Sequence, residues 1–171
     1  NAERRPRSPW GLPCPRSARY APHFAMRFCL VDDILEREDD RIMTVKKVSL
    51  AEEYLQDHFP GYPVLPGVLM VEAMVQAARC LIETRREGAG GARFVLGSVR
   101  ALKYGAMVRP GESLLCDVSI ARVEEDGTIA CRGTARVQRP GGEEETAASG
   151  RFTMRRLVPT PASVSAPVEA S

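Results

Sequence analysis

The sequence predicts an α+β domain in which an antiparallel sheet of about six strands wraps around one long central helix. Three observations point there. A mostly apolar stretch with helical period runs from about Pro66 to Arg86. Most β-prone segments follow it, and the last of them alternate apolar and polar residues with a period of two. A single helix cannot cover both faces of a sheet, so the economical packing curls the sheet around it. At 171 residues the chain has the length of one domain with a real core.

Taken in order, residues 1–22 read as a disordered basic extension, rich in Pro and Arg and with Glu3 as their one acid. Pro6, Pro9, Pro13 and Pro15 work against the amphipathic helix of a transit peptide. The domain itself is expected over 23–157. Phe28 to Leu35 (FCLVDDIL) predicts a strand, and Arg41 to Ser49 a second one after the acidic turn Glu38-Asp39-Asp40. Ser49 and Glu52 fit a capping box that would open a short helix over Leu50–Gln56. Phe59 to Pro66 holds Pro60, Gly61, Pro63 and Pro66, which predicts an ordered loop.

Pro66 suits a helix start, where a missing N–H costs little. The polar positions Glu72, Gln76, Arg79, Glu83 and Arg86 form one stripe along an otherwise apolar helix. For Glu83 and Arg86 that stripe is expected to be a solvent-facing edge. Gly88 to Gly91 should end the helix. Leu114–Ala121, Ile129–Val137 and Arg151–Arg155 then alternate as strands, with Asp126-Gly127 and Pro140-Gly141-Gly142 as turns. They predict an antiparallel meander with one buried face. Residues 158–171, rich in Pro, Ala and Ser, read as a disordered tail.

Composition excludes several function classes. The 44% hydrophobic and 27% charged shares are those of a soluble globular protein. A formal charge of +2 is too small to argue for nucleic acid. Glu72, Gln76 and Arg79 interrupt the longest apolar run, so no membrane span is expected. Cys14, Cys29, Cys80, Cys116 and Cys131 are scattered with no C-x-x-C, and His23 and His58 are the only histidines. No metal site is expected, and the cysteines read as packing residues, free thiols in a reducing cytoplasm.

Two residues carry chemistry. A neutral imidazole such as His58 can accept a proton near neutral pH, and a carboxyl in an apolar setting such as Glu72 can give one up. Taken singly, a histidine before a Pro-rich loop is more often structural, and a helical Glu is more often solvated. What sets this pair apart is the motif around it, His58-Phe59-Pro60-Gly61, Pro63, Pro66-Gly67-Val68-Leu69, Glu72-Ala73-Met74 and Gln76. It resembles that of the hotdog-fold 3-hydroxyacyl-[acyl carrier protein] dehydratases, with a weaker likeness from FCLVDDIL to Arg109-Pro110-Gly111-Glu112.

The resemblance implies a sheet-around-helix fold closed as a homodimer, or a trimer of such dimers, with each active site shared between two chains. It implies that His58 removes the proton next to the thioester and that Glu72 protonates the departing 3-hydroxyl. Gly67 would bond the thioester carbonyl through its N–H, Val64 would orient the histidine ring through its carbonyl, and Gln76 would support Glu72. No cofactor is implied beyond the phosphopantetheine of the acyl carrier protein, whose acidic surface would dock on cations; Arg100, Lys103 and Arg109 are candidates. Two segments depart from the family pattern, His23 to Arg27 and Lys103 to Val108, both where the acyl tail or carrier would enter. The other readings are a hotdog acyl thioesterase and a non-catalytic acyl-carrier-binding subunit.

Overall fold

The computed structural model describes residues 28–85 and 93–157. The expected extension 1–22, the tail 158–171, the segment His23–Arg27 and the glycine run 88–91 lie outside the described residues, as do Cys14 and Arg86. Within them the chain runs β1 (Asp33–Arg37), β2 (Arg41–Lys47), a 3-10 turn (Glu53–Leu55), α1 (Gly67–Arg85), β3 (Phe94–Tyr104), β4 (Ser113–Val123), β5 (Ile129–Gln138) and β6 (Glu144–Arg156). All pairings are antiparallel, in the order β1-β2-β4-β5-β6-β3. The meander β4-β5-β6 is the expected one. Its turns lie where expected, with Gly127, Gly141 and Gly142 all at positive φ.

The inner face of the sheet packs on α1. Along β5, Ile129, Cys131, Gly133, Ala135 and Val137 are buried while Arg132 between them is exposed. Gly133 marks the closest approach, because a Cβ there would lie 2.7 Å from the Met74 sulfur. Met74, Ala77, Ala78, Leu81 and Ile82 of the helix are all but fully buried against this face. Burying side chains the size of Met74, Leu81 and Ile82 contributes roughly 1.5–3 kcal/mol each, so the helix–sheet contact is a substantial source of stability.

The structure corrects several local expectations. The first strand begins at Asp33 rather than Phe28. Asp32 ends the preceding segment by accepting the Lys47 N–H at 2.6 Å, while its own N–H bonds to the Val45 carbonyl. Residues 28–32 therefore form a strap rather than a strand. No helix spans 50–56, and Glu52 is no capping partner. Its carboxylate sits 2.7 Å from the Lys46 ammonium, and only the 3-10 turn follows. Nor does Glu83 stand on the solvent-facing edge expected for it. Gln76 is only 4% exposed, Arg79 and Glu83 are half-buried, and burial raises the Glu83 carboxyl against the opposing pull of Arg79 and Arg93.

β3 was not individually legible, because bulges at Leu96/Ser98 and Arg100/Lys103 break its alternation. Its place is decisive all the same. It pairs with β6 only, leaving an edge eleven residues long without a partner strand among the described residues. Cys116 and Cys131 lie in the core, where burial pushes each thiol up to about 12. Cys29 is exposed, and the four described cysteines are free thiols.

Candidate active site

His58 stands in a loop that bonds to itself. Phe59 N–H and Tyr62 carbonyl pair at 3.1 Å, the reverse pair at 2.9 Å, and Val64 N–H bonds to the His58 carbonyl at 3.0 Å. Gly61 takes the positive φ that the turn requires. The His58–Phe59 peptide is cis, and the two rings stack with centroids 4.2 Å apart. Leu65 N–H fastens the loop to the Val108 carbonyl. Within this frame His58 Nδ1 lies 3.0 Å from the Val64 carbonyl oxygen. A carbonyl only accepts, so Nδ1 carries the hydrogen, and Nε2 of the neutral ring holds the free lone pair.

Gly67 is the first residue of α1. The Leu69 and Met70 N–H groups bond to the Pro66 carbonyl, whereas the Gly67 and Val68 N–H groups have no acceptor among the described residues. They are the open donors that every helix start leaves, at the positive end of its dipole. The Tyr104 ring lies over this point, and a Cβ at Gly67 would come within 2.8 Å of its Cε1 atom. Only glycine keeps backbone and ring this close.

Glu72 is half-buried on α1, and its Oε1 accepts a hydrogen bond from Gln76 Nε2 at 3.0 Å. The strap fixes which way the Gln76 amide points. Leu30 N–H donates to Gln76 Oε1 at 2.8 Å, and Nε2 also reaches the Phe28 carbonyl at 3.4 Å. With its oxygen held by a donor, Gln76 can present only its N–H groups to Glu72, so Oε2 is the carboxyl oxygen left free. The strap is anchored in turn by Asp32, whose other oxygen faces the buried Lys46 ammonium at 3.4 Å. Burial works against the Lys46 charge, yet Glu52 and Asp32 outweigh it and leave its pKa raised.

One chain therefore holds two separate groupings, His58 with Val64 and Glu72 with Gln76. No hydrogen bond or ion pair joins them among the described residues. The three docking candidates also separate. Arg100 and Lys103 are exposed on β3, while Arg109 lies over the Tyr62 ring, 4.8 Å from its centroid, and donates to its hydroxyl. Arg109 lines an open cleft of about 330 Å³ with Ala106, Met107, Glu112, Arg139 and Glu145, which neither His58 nor Glu72 reaches. The roles of Tyr104 and the strap were not read from sequence. An aromatic residue in the departing segment was the only sign of the first, and the strap resembled a strand.

A sheet wrapped around one helix, with this loop at the helix start, defines a hotdog-fold protein. The chain belongs to the FabA-like domain family, whose model matches residues 22–142. The 3-hydroxyacyl-[acyl-carrier-protein] dehydratase FabZ of Lactococcus lactis subsp. cremoris (strain SK11) is 40% identical over 118 residues, spanning 63% of this chain and 81% of the relative. FabZ of Streptococcus pyogenes serotype M5 (strain Manfredo) is 37% identical over 116 residues, spanning 61% and 83%. Among solved structures, the dehydratase heterocomplex ApeI:P from Xenorhabdus doucetiae matches with a TM-score of 0.52 at 18% identity, over 72% of this chain and 95% of that one. The 4-hydroxybenzoyl CoA thioesterase of Pseudomonas sp. strain CBS-3 matches with a TM-score of 0.56 at 11% identity, over 68% and 84%. At these identities the structural likeness concerns the fold alone.

Proposed function

We propose that the chain dehydrates 3-hydroxyacyl thioesters on acyl carrier protein to trans-2-enoyl thioesters in fatty acid biosynthesis, as a hydro-lyase. The observation that carries this reading is the His58 ring, tied by Nδ1 to a carbonyl and left with Nε2 as a base in the loop that leads into α1. The sequence relatives are named as dehydratases, whereas the thioesterase likeness is one of fold.

His58 Nε2 takes the proton from the carbon next to the thioester. The negative charge that develops on the thioester oxygen meets the open Gly67 N–H and the helix dipole. As the 3-hydroxyl leaves, Glu72 Oε2 gives it a proton, and it departs as water. Val64 keeps the histidine tautomer, and Gln76 keeps the other carboxyl oxygen occupied. One proton and one hydroxide leave the substrate, so the step balances with these two side chains and needs no metal or redox cofactor.

The catalytic pair acts across a homodimer, alone or in a trimer of dimers. The lack of any hydrogen bond or ion pair between the two groupings among the described residues, and the open edge of β3 with Leu96 and Val99 each 36% exposed, support this arrangement. No helix among the described residues is long and apolar enough to cross a membrane, and the four described thiols are free; both suit a cytoplasmic enzyme. Mass spectrometry of 3-hydroxyacyl and trans-2-enoyl carrier thioesters after incubation tests the function. Loss or gain of one water is expected. Loss of the acyl group would make the protein a thioesterase, and no change a carrier-binding subunit. His58→Ala and Glu72→Gln should each lower turnover by roughly 10²–10⁴-fold while the chain stays folded. A folded variant that keeps most of its turnover would remove that residue from the mechanism.

A further inference from the structure

The strap that orients Gln76 is gripped at both ends by polar side chains taken out of water. Thr44, Lys46 and Gln76 are the buried polar residues among those described, and Lys46 is the only charged one. Gln76 meets the Leu30 N–H and the Phe28 carbonyl. Lys46 meets Asp32, two residues beyond Leu30, at 3.4 Å. The same ammonium lies 2.7 Å from Glu52. The Glu52 carbonyl opens the 3-10 turn by accepting the Leu55 N–H at 3.1 Å, and His58 follows three residues after Leu55. Tyr54 of that turn packs edge-on against Phe28 of the strap, with ring centroids 6.2 Å apart.

One ammonium thus joins the two segments that carry the reacting groups. Two residues of extended chain span at most about 7 Å, so a shift of Asp32 is passed on to the Leu30 N–H with little slack. A lysine is rarely buried unless its charge is paired, and such a pair often stabilises no more than an apolar pair of the same size. What it supplies is a fixed place for its partners. Burial, with Glu52 and Asp32, pushes the Tyr54 phenol up to about 12, so it adds no third negative charge to the cluster at neutral pH. Arg41, at the other end of β2, differs. Its ion pair with Asp117 at 2.8 Å joins β2 to β4 and is partly exposed.

We propose that Lys46 is a positioning residue for the reaction. Its ammonium holds the strap through Asp32 and the turn through Glu52, and so sets both the Gln76 amide that faces Glu72 and the entry to the His58 loop. It acts at a distance, since its own partners are Asp32 and Glu52 rather than either reacting group. Without the ammonium, the two carboxylates that it draws together repel each other, and strap and turn lose their common anchor. The part of Lys46 in turnover rests on the dehydratase reading, whereas its hold on the strap does not.

The test pairs kinetics with amide hydrogen exchange followed by NMR. Lys46→Met keeps the apolar stem and removes the charge. Lys46→Met/Glu52→Gln also removes the stranded carboxylate, and serves should the single variant fold poorly. In both, kcat should fall by roughly tenfold to a hundredfold while KM stays within about twofold. The Leu30 amide should exchange at least about tenfold faster, whereas the core amides of β5, which report global opening, should change less. The double variant should regain much of the Tm lost by the single one but not its kcat. Arg41→Met, which breaks the other ion pair of β2, should lower Tm and leave kcat and the Leu30 amide as in wild type. Leu30 and β5 amides accelerating in parallel, or kcat returning together with Tm in the double variant, would reduce Lys46 to a structural role and overturn the proposal. So would a loss of kcat with no selective change at Leu30, or the reverse. A wild-type chain that releases no water from 3-hydroxyacyl thioesters would refute the dehydratase reading, and the Leu30 amide would then decide by itself whether Lys46 holds the strap.

Discussion

Gln76 shows how much of the site depends on the orientation of one amide. Its oxygen is spent on Leu30 N–H, so its nitrogen must face Glu72 and Phe28. Gln76→Leu would leave the Leu30 N–H buried without a partner, at a cost of about 1–3 kcal/mol. It would also remove the donor that holds Glu72. A hydrogen bond to a charged group contributes roughly 1.5–3 kcal/mol, which corresponds to ~10–100-fold in rate if it is made in the transition state. The expected outcome is a loss of that order in kcat with little change in KM, alongside a lower denaturation midpoint. Reduced stability with kcat within twofold of wild type would assign Gln76 to the core alone. The motif marked His58, Glu72, Gly67 and Gln76 in the sequence, but not the direction of this amide. That direction is set by the strap residue Leu30, forty-six positions away in the chain.

At the scale of the element, α1 explains why its polar stripe misled. The apolar residues predicted a helix and its start correctly, because burial alone selects their spacing. A polar stripe on such a helix has two explanations, solvent or partners, and sequence cannot separate them. Here Gln76 meets the strap and Arg79 donates to the Phe94 carbonyl at 3.1 Å. Glu83 is half-buried beside them, and its pKa is raised by burial. With the folded pKa above the unfolded one, the folded chain holds the extra proton in that window, and stability falls as pH rises through it. Above the window the buried carboxylate costs stability; below the ordinary carboxylate range it does not. Glu83→Gln should therefore raise Tm at neutral pH and leave it unchanged in acid. A gain that persists in acid would trace to packing rather than to charge. β3 and the strap escaped the sequence for a related reason. Bulges hide the period of one, and the β-prone residues of the other are held by the helix and by Asp32 instead of a ladder.

For the whole molecule, the sheet order was beyond the sequence, since the meander fixes β4-β5-β6 but says nothing about where β2 and β3 attach. Placing β2 beside β4 and β3 beside β6 wraps the sheet around α1 and leaves β3 as an open edge. Within a chain His58 bonds to the Val64 carbonyl and Glu72 to Gln76, and no hydrogen bond or ion pair joins the two among the described residues. The central claim is that they act together as base and acid, one from each chain of a dimer. His58→Ala and Glu72→Gln proteins, each inactive alone, test it when mixed under conditions that exchange subunits. Random pairing makes half of the dimers mixed, each with one intact site of two, so about a quarter of wild-type activity should return. Exchange demonstrated by mass, with no activity regained, would contradict the shared site and place base and acid within a single chain.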